Sequence, residues 1–308
     1  MTGETKPYIL FHSPRCGSTF PLCVLRLFDI PHELVVCDYD EIIEKKGPNY
    51  SRLVEANPLA QFPTLITPEG YVMTEMVAIA LYLLDQHGTG TPWDIHALNP
   101  CQLAAFYRWF VFIPANVYPT ITVIEFPSRF VDVPVSAPVD SKTVETWITE
   151  GTFIKQGELW KMMEREMTKG LQVGRFLLGT ESPTLLDVLV ALVAHWPPNP
   201  SIPATESSVD VKEVESYVKA GASAKREEIW KMMEREMTGE LKEGMFLLGT
   251  EHPSLLDVLL SLVAHYTPHP RYTWLEENCP KLRRNVIETL KADVIRDVFH
   301  ENELDDFL

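Results

Sequence analysis

Residues 57–86 read NPLAQFPTLITPEGYVMTEMVAIALYLLDQ, and their pattern decides the fold class. Asn57-Pro58 stops the helix before it, because proline disfavours helical geometry in the residue it follows. Phe62 to Ile66 is a short apolar run, Pro68-Glu69-Gly70 is a turn, and Tyr71-Val72-Met73 is a second short run. Together they spell a hairpin. Thr74 then caps a helix from Glu75 to Gln86, which Gly88 ends.

Working outward, Tyr8 to His12 is an apolar run stopped by Ser13-Pro14, as suits a buried strand. Ser18 to Phe28 has apolar residues at helical spacing (Phe20, Leu22, Cys23, Leu25, Phe28), and Pro31 closes it. His32 to Asp38 reads as a second strand and Asn49 to Ala56 as a short helix. The order is therefore β-α-β-α-β-β-α over residues 1–90. Beyond residue 95 no strand pattern occurs. Helical periodicity runs from Asn99 through Phe126 and again from Val139 onward. The expected architecture is an α/β domain at 1–90 followed by an all-α domain at 95–308.

The all-α part contains an internal repeat. Residues 158–196, ELWKMMEREMTKGLQVGRFLLGTESPTLLDVLVALVAHW, recur at 228–266 as EIWKMMEREMTGELKEGMFLLGTEHPSLLDVLLSLVAHY, and 28 of these 39 positions are identical. The offset is 70 residues, and Val139-Asp140 against Val209-Asp210 extends it, so the units run about 139–208 and 209–278. A solenoid would need three or more copies. Two point to a local tandem duplication, and one copy fewer leaves 238 residues. In each copy a glycine (Gly179, Gly249) suits a left-handed helix end. Thr184 and Ser254 sit three residues before Asp187 and Asp257, the spacing of a capping box. Both copies repeat the same leucines, so one should fill a core and the other project or pad the surface.

Composition narrows the function classes. The chain has 308 residues, 45% hydrophobic and 23% charged, as in an ordinary globular protein. With 27 basic and 43 acidic residues the net charge is −16, which repels polyphosphate and argues against nucleic-acid binding. The five cysteines are scattered, without metal-type spacing, so a reducing, cytoplasmic setting is expected. No apolar run reaches the roughly 20 residues of a membrane helix, so no membrane partner is expected. No metal set is read among the nine histidines. His195 and His265 occupy one repeat position and are expected on a helix surface.

Three segments carry candidate chemistry. His12-Ser13-Pro14-Arg15-Cys16-Gly17-Ser18-Thr19 lies between the first strand and helix. A thiol there meets the helix's unpaired N–H groups, its positive end and Arg15, all of which favour a thiolate at Cys16. The plainer reading makes Ser18 a helix cap and Cys16 an idle small residue. Pro63 opening a strand is compatible with a cis bond that frees the backbone of Phe62 as a hydrogen-bonding edge. Glu75 is a carboxylate at a helix start, suited either to the helix dipole or to a ligand ammonium. The aromatic run Phe106, Tyr107, Trp109, Phe110, Phe112, Tyr118 is mostly core, with a subset available to line an apolar pocket.

The segments YILFHSPRCGSTFPL, DIPHELVVCDYD, NPLAQFPTLI and MTEMVAIALYLLDQ resemble the amino-terminal thioredoxin-like domain of cytosolic glutathione transferases. The helical remainder, with its FLLGTEHPSLLD element, is similar to that family's carboxy-terminal domain. Among its classes the resemblance is nearest to the theta and beta groups. It implies that Phe62, beside a cis Pro63, pairs its backbone with the cysteinyl part of glutathione. Glu75 and the backbone at Met76 would hold the γ-glutamyl group. The family usually carries Ser or another small residue where Met76 stands. Its nucleophile falls between Arg15 and Gly17, where Cys16 is the one thiol, flanked by Ser13 and Ser18.

The implied activity is a glutathione-dependent transferase that conjugates glutathione to small hydrophobic electrophiles, as in detoxification, or exchanges thiols with them. Glutathione is the co-substrate, no metal is required, and Tyr107, Phe112 and Tyr118 line the substrate pocket. A homodimer is implied. The alternative is a non-catalytic interaction or scaffold protein of the same fold.

Overall fold

A computed structural model describes residues 6–194, 211–242, 244–264, 271–291 and 293–301. By internal contacts the chain divides into two compact units, Met1–Glu125 with Ile148–Ala204, and Phe126–Trp147 with Thr205–Leu308. This division does not follow the change of secondary-structure type at residues 90–95, beyond which the described residues contain no strand.

The first unit is built on a four-stranded sheet of β1 (Tyr8–His12), β2 (His32–Val36), β3 (Thr64–Ile66) and β4 (Val72–Thr74), ordered β2-β1-β3-β4. β1 and β2 run parallel and are joined by α1 (Thr19–Leu27); the other pairs are antiparallel. β1 is buried along most of its length because both faces of the sheet are covered. Tyr8 and Leu10 share a core with Phe20 and Leu25 of α1 and with Ile79 and Leu83 of α4 (Met76–His87). Phe11 packs with Val35, Cys37 and Leu53, the last from α3 (Pro48–Ala56). The hairpin forms as expected, with Gly70 at φ 93° in the turn between β3 and β4. Two details differ. A short helix α2 (Tyr39–Glu44) precedes α3 and carries too few apolar residues to show as a period. Thr74 ends β4 rather than capping α4, whose cap position is Glu75.

The helical stretch expected from Asn99 to Phe126 is interrupted. α5 (Pro100–Phe112) opens on a capping box of Asn99 and Gln102, then gives way to a π turn at Ile113–Val117 before α6 (Tyr118–Glu125). Pro114 has no N–H to continue an α-helical ladder, and the wider turn absorbs the missing bond.

α7 (Ser141–Met167) and α8 (Leu185–Val193) carry the first repeat copy. Met163, Met167, Leu185, Leu186, Leu189 and Val193 join Phe106, Trp109 and Phe110 of α5 in the core of the first unit. The second copy lies in α9 (Val211–Thr238) and α10 (Leu255–Ala264) of the other unit. There Trp230, Leu247, Leu260 and Ala264 pack with Leu275 of α11 (Arg271–Asn278) and with Leu282 and Val286 of α12 (Pro280–Thr289). Phe299 of α13 (Asp293–Glu301) completes that core. Each copy thus contributes to a core of its own, the second in the other unit and not as padding on the first.

Gly179 and Gly249 are left-handed, at φ 74° and 71°, but neither closes a helix, since α7 ends at Met167 and α9 at Thr238. They sit in a tight turn, closed by Gly179 N–H donating to Phe176 O (2.7 Å) and, in the other copy, Gly249 N–H to Phe246 O (2.7 Å). A reversal that tight needs positive φ, which glycine adopts freely. The helix starts form as expected. Asp187 Oδ2 accepts from Thr184 N–H and its hydroxyl, both at 2.7 Å, and Asp257 Oδ2 accepts from Ser254 in the same way. His195, His265 and Val209-Asp210 lie outside the described residues.

Candidate functional site

Strand register brings the separate sequence signals to one end of the sheet. β1 pairs β3 with Phe11 opposite Thr64, and β3 pairs β4 with Thr64 opposite Thr74. β1 ends at His12, β3 begins at Thr64 and β4 ends at Thr74, so all three meet the same end of the sheet. The turn that leaves β1, the entry to β3 and the start of α4 therefore face one place.

The Phe62-Pro63 bond is cis. Among the described residues, the backbone N–H and C=O of Phe62 take no partner, so that edge is open to a ligand. Glu75 is exposed and held at φ 69°, outside the range most side chains prefer. The N–H groups of Met76, Val77 and Ala78, the first turn of α4, likewise have no partner among the described residues. Donors at a helix start suit a carboxylate. The side chain of Met76 is buried, its sulfur 3.6 Å from where a Cβ on Gly17 would stand. It packs against the turn, so Met76 offers a ligand its backbone only.

The turn itself differs from the sequence reading in two respects. Ser18 is fully buried and makes no side-chain cap bond to α1. Its Oγ accepts from Ser13 N–H (3.2 Å), donates to Ser13 O (3.2 Å) and pairs with His12 Nδ1 (2.9 Å). With the second donor site of a hydroxyl lacking, His12 Nδ1 carries the proton in that arrangement. His12 is buried, and loss of hydration holds its pKa below the ordinary histidine value, the bond to Ser18 only partly offsetting this. The ring is neutral and braces the turn. Second, the donors of α1's first turn are largely used: Thr19 N–H goes to Cys16 O (3.0 Å), Phe20 N–H to Gly17 O (3.3 Å), and Pro21 has none. A thiolate at Cys16 would still meet the positive end of the helix dipole.

Cys16 is half-buried, whereas Ser13 is almost wholly buried. Arg15, exposed, takes the left-handed conformation at φ 62°. Of the aromatic candidates, Tyr118 reaches the turn, its hydroxyl 3.1 Å from the Cβ position of Gly17. Gly17 is thus the residue that admits Tyr118, a role its neighbours' sequence does not announce. Phe112 sets its ring edge-on to Trp109 at 5.4 Å, and Tyr107 is exposed on α5. Among the described residues no three His, Cys, Asp or Glu side chains converge as metal ligands, and no helix is long and apolar enough to cross a membrane.

No family model matches the chain. Over 118 residues it is 37% identical to YncG, an uncharacterized GST-like protein of Escherichia coli (strain K12), in a stretch that is 38% of this chain and 54% of the relative. The chain therefore spans about half the length of that relative. A glutathione transferase homologue from Sulfitobacter, solved with bound glutathione, aligns at TM-score 0.50 and 15% identity over 72% of this chain and 98% of the other. The fold is that of a glutathione transferase. Ure2p in complex with glutathione aligns at TM-score 0.46 and 17% identity, over 70% of this chain and 94% of that one. Within this glutathione-transferase fold the sheet end described above, with Phe62, Glu75, Met76 and the Cys16 turn, is the candidate site.

Proposed function

We propose that the protein is a glutathione-dependent transferase of theta- or beta-like type, acting on small hydrophobic electrophiles. The observation that supports the reading is that the open backbone of Phe62, the Cys16 turn and the unpartnered first turn of α4 all lie at one end of the sheet. Phe62 would pair with the cysteinyl backbone of glutathione. Glu75 would receive its ammonium, and the N–H groups from Met76 onward its γ-glutamyl carboxylate. That seats the glutathione sulfur at the Cys16 turn, with the ring of Tyr118 beside it.

Two reactions fit that seat. In conjugation the glutathione thiolate forms a bond to an electrophilic carbon, whose leaving group departs with the electron pair. In thiol exchange the Cys16 thiolate attacks the sulfur of a glutathione mixed disulfide and releases the other thiol; a second glutathione then frees Cys16 as glutathione disulfide. Ser18 belongs to the turn's own bonding, and Ser13 is buried, so Cys16 is the residue proposed to act. The protein is proposed to be a homodimer in a cytoplasmic setting.

A non-catalytic glutathione-binding role is the second reading, favoured by the engagement of Thr19 and Phe20 N–H with the turn's own carbonyls. Retention on immobilised glutathione followed by turnover of a chromogenic electrophile separates the two. Retention with turnover supports the transferase, retention without turnover supports the binding role, and no retention refutes both.

A further inference from the structure

Within the second unit, a cavity of about 650 Å³ lies between the turn that follows α9 and α12. That is the size of small-molecule sites, roughly 300–1,000 Å³. The first copy has the same turn on the same backbone. Leu171 N–H donates to Thr168 O (3.0 Å), Arg175 N–H to Gln172 O (3.1 Å) and Phe176 N–H to Thr180 O (3.0 Å); the matching bonds of the second copy measure 3.2, 3.2 and 2.9 Å. The copies part in their side chains. Eleven of the 39 aligned positions differ, and five of these fall within 239–245. Two of the changes bear on the cavity. Met245 stands where the first copy has Arg175, which pairs with Glu181 at 2.8 Å, so the matching Glu251 has no partner among the described residues. Lys242 stands where the first copy has Gln172.

Cations gather here against the charge of the whole. The chain carries −16, yet residues 280–291 hold four basic side chains and one acidic. Arg284 and Lys242 line the cavity, exposed and without a partner among the described residues. Lys281 joins them; its Nζ donates to Thr238 O (3.1 Å), and an ammonium has three N–H groups. Glu288, on the same wall, is answered by Lys291 at 2.7 Å. A guanidinium fork with two ammonium groups suits a phosphate dianion better than a single carboxylate. Leu241, Met245 and Phe246 set apolar surface beside these charges. Asn285 is the buried residue of the lining, at 5% exposure. Its Nδ2 donates to Asp257 Oδ1 (2.8 Å), and a carboxylate only accepts, so the amide cannot turn over. The Asn285 Oδ1 is left without a partner, a buried acceptor in want of a donor.

We propose that this cavity binds a small phosphate monoester with an aromatic body, as a site of its own beside the glutathione site of the first unit. The phosphate rests on Arg284, Lys242 and Lys281. The aromatic body lies on Met245 and Phe246, and an N–H group on it satisfies Asn285 Oδ1. Glu251, freed of a guanidinium partner, accepts from a ligand hydroxyl. That carboxylate and the overall charge of −16 repel a polyphosphate chain, so the ligand is a small ester and not a nucleic acid.

Adenosine 5′-monophosphate (AMP) is the probe, since it carries a phosphate, an aromatic ring, an exocyclic amine and hydroxyls. Isothermal titration of the full chain should show AMP binding about tenfold tighter than adenosine, which lacks the head, and than inorganic phosphate, which lacks the body. Arg284→Gln should bring AMP down to the level of adenosine, and Lys242→Gln should weaken it in the same direction. Lys169→Gln, which removes an exposed charge from the first copy's turn, should change nothing. Saturating glutathione should leave the AMP affinity unaltered. Absence of AMP binding overturns the proposal. So does equal affinity for adenosine or inorganic phosphate, an equal loss in Lys169→Gln, or displacement of AMP by glutathione. Lys242→Gln, on an exposed turn, decides the matter if Arg284→Gln fails to fold. A chain that retains glutathione but ignores AMP refutes this cavity alone, and one that binds AMP but not glutathione refutes the transferase alone.

Discussion

Removing one carboxylate from each repeat copy compares the same side chain in two settings. Asp187 Oδ2 accepts from Thr184 N–H and hydroxyl, and its Oδ1 from Leu177 N–H (3.0 Å). Asp257 makes the matching three contacts, with Leu247 N–H at 2.9 Å, and adds a fourth, from Asn285 Nδ2 at 2.8 Å. Asp187 is half-buried, whereas Asp257 has no exposed surface. Truncating Asp187 to Ala loses the helix start, about 2 kcal/mol by the cost of a charged cap bond. Truncating Asp257 loses the same and also strands the Asn285 amide, itself buried with its Oδ1 already unpartnered, a further ~1–3 kcal/mol. Asp257→Ala should therefore cost about twice what Asp187→Ala does, read from urea unfolding followed by circular dichroism. Asn285→Ala combined with Asp257→Ala should show coupling of about 1–2 kcal/mol. Equal costs at the two aspartates, or strict additivity with Asn285, would refute the reasoning.

Further outcomes follow from particular residues. Burial works to raise the Asp257 pKa, but the Ser254, Leu247 and Asn285 donors outweigh it and hold the group below the ordinary aspartate value. The unfolded chain takes up that proton first, near pH 4, so stability is present above that pH and falls as pH drops towards the folded pKa; Asp257→Ala should flatten this acid limb of an unfolding curve. Limiting iodoacetamide should label Cys16 ahead of Cys23, Cys37 and Cys279: burial raises all three thiols, Cys37 and Cys279 to about 11, and mass mapping that finds any of them first counts against the Cys16 assignment. Cys16→Ala should abolish thiol exchange and leave glutathione retention intact, whereas Glu75→Ala should weaken retention by roughly tenfold, as loss of one charge-assisted bond implies. Gly151→Ala should stabilise α7 by roughly 0.5–1 kcal/mol, since a Cβ there meets nothing, while its repeat equivalent Gly221→Ala should lose that gain or reverse it, because the Cβ would stand 3.1 Å from the backbone of Phe130; thermal melts of the two variants check this.

The sheet end was legible in sequence because its signals are local. Strand runs, the PEG turn and the proline stops depend on neighbours a few residues away, so β1, α3 and α4 form within a residue or two of where the pattern sets them. The site's finer geometry was not. Ser18 has the residue type of a helix cap, yet its hydroxyl turns back to His12 and Ser13, because β1 delivers a buried imidazole to that spot. Glu75 entered a left-handed conformation that no helix-start rule anticipates, set by the turn from β4 into α4. The π turn that carries Tyr118 to Gly17 hangs on Pro114, a signal present in the sequence but masked by the apolar period around it.

The repeat draws the line most sharply. The sequence by itself determined that LLDVLVALV and LLDVLLSLV are helices, each started by a Ser or Thr bound to an Asp three residues on, since capping and propensity act within one turn. It could not determine which side of either helix goes inside. Both are apolar nearly all round, so no face is intrinsically the inner one, and the choice falls to whatever packs alongside. In the first unit α1 and α5 cover the side that holds Leu185, Leu189 and Val193; in the second, α12 takes the side that holds Asp257, Leu260 and Ala264.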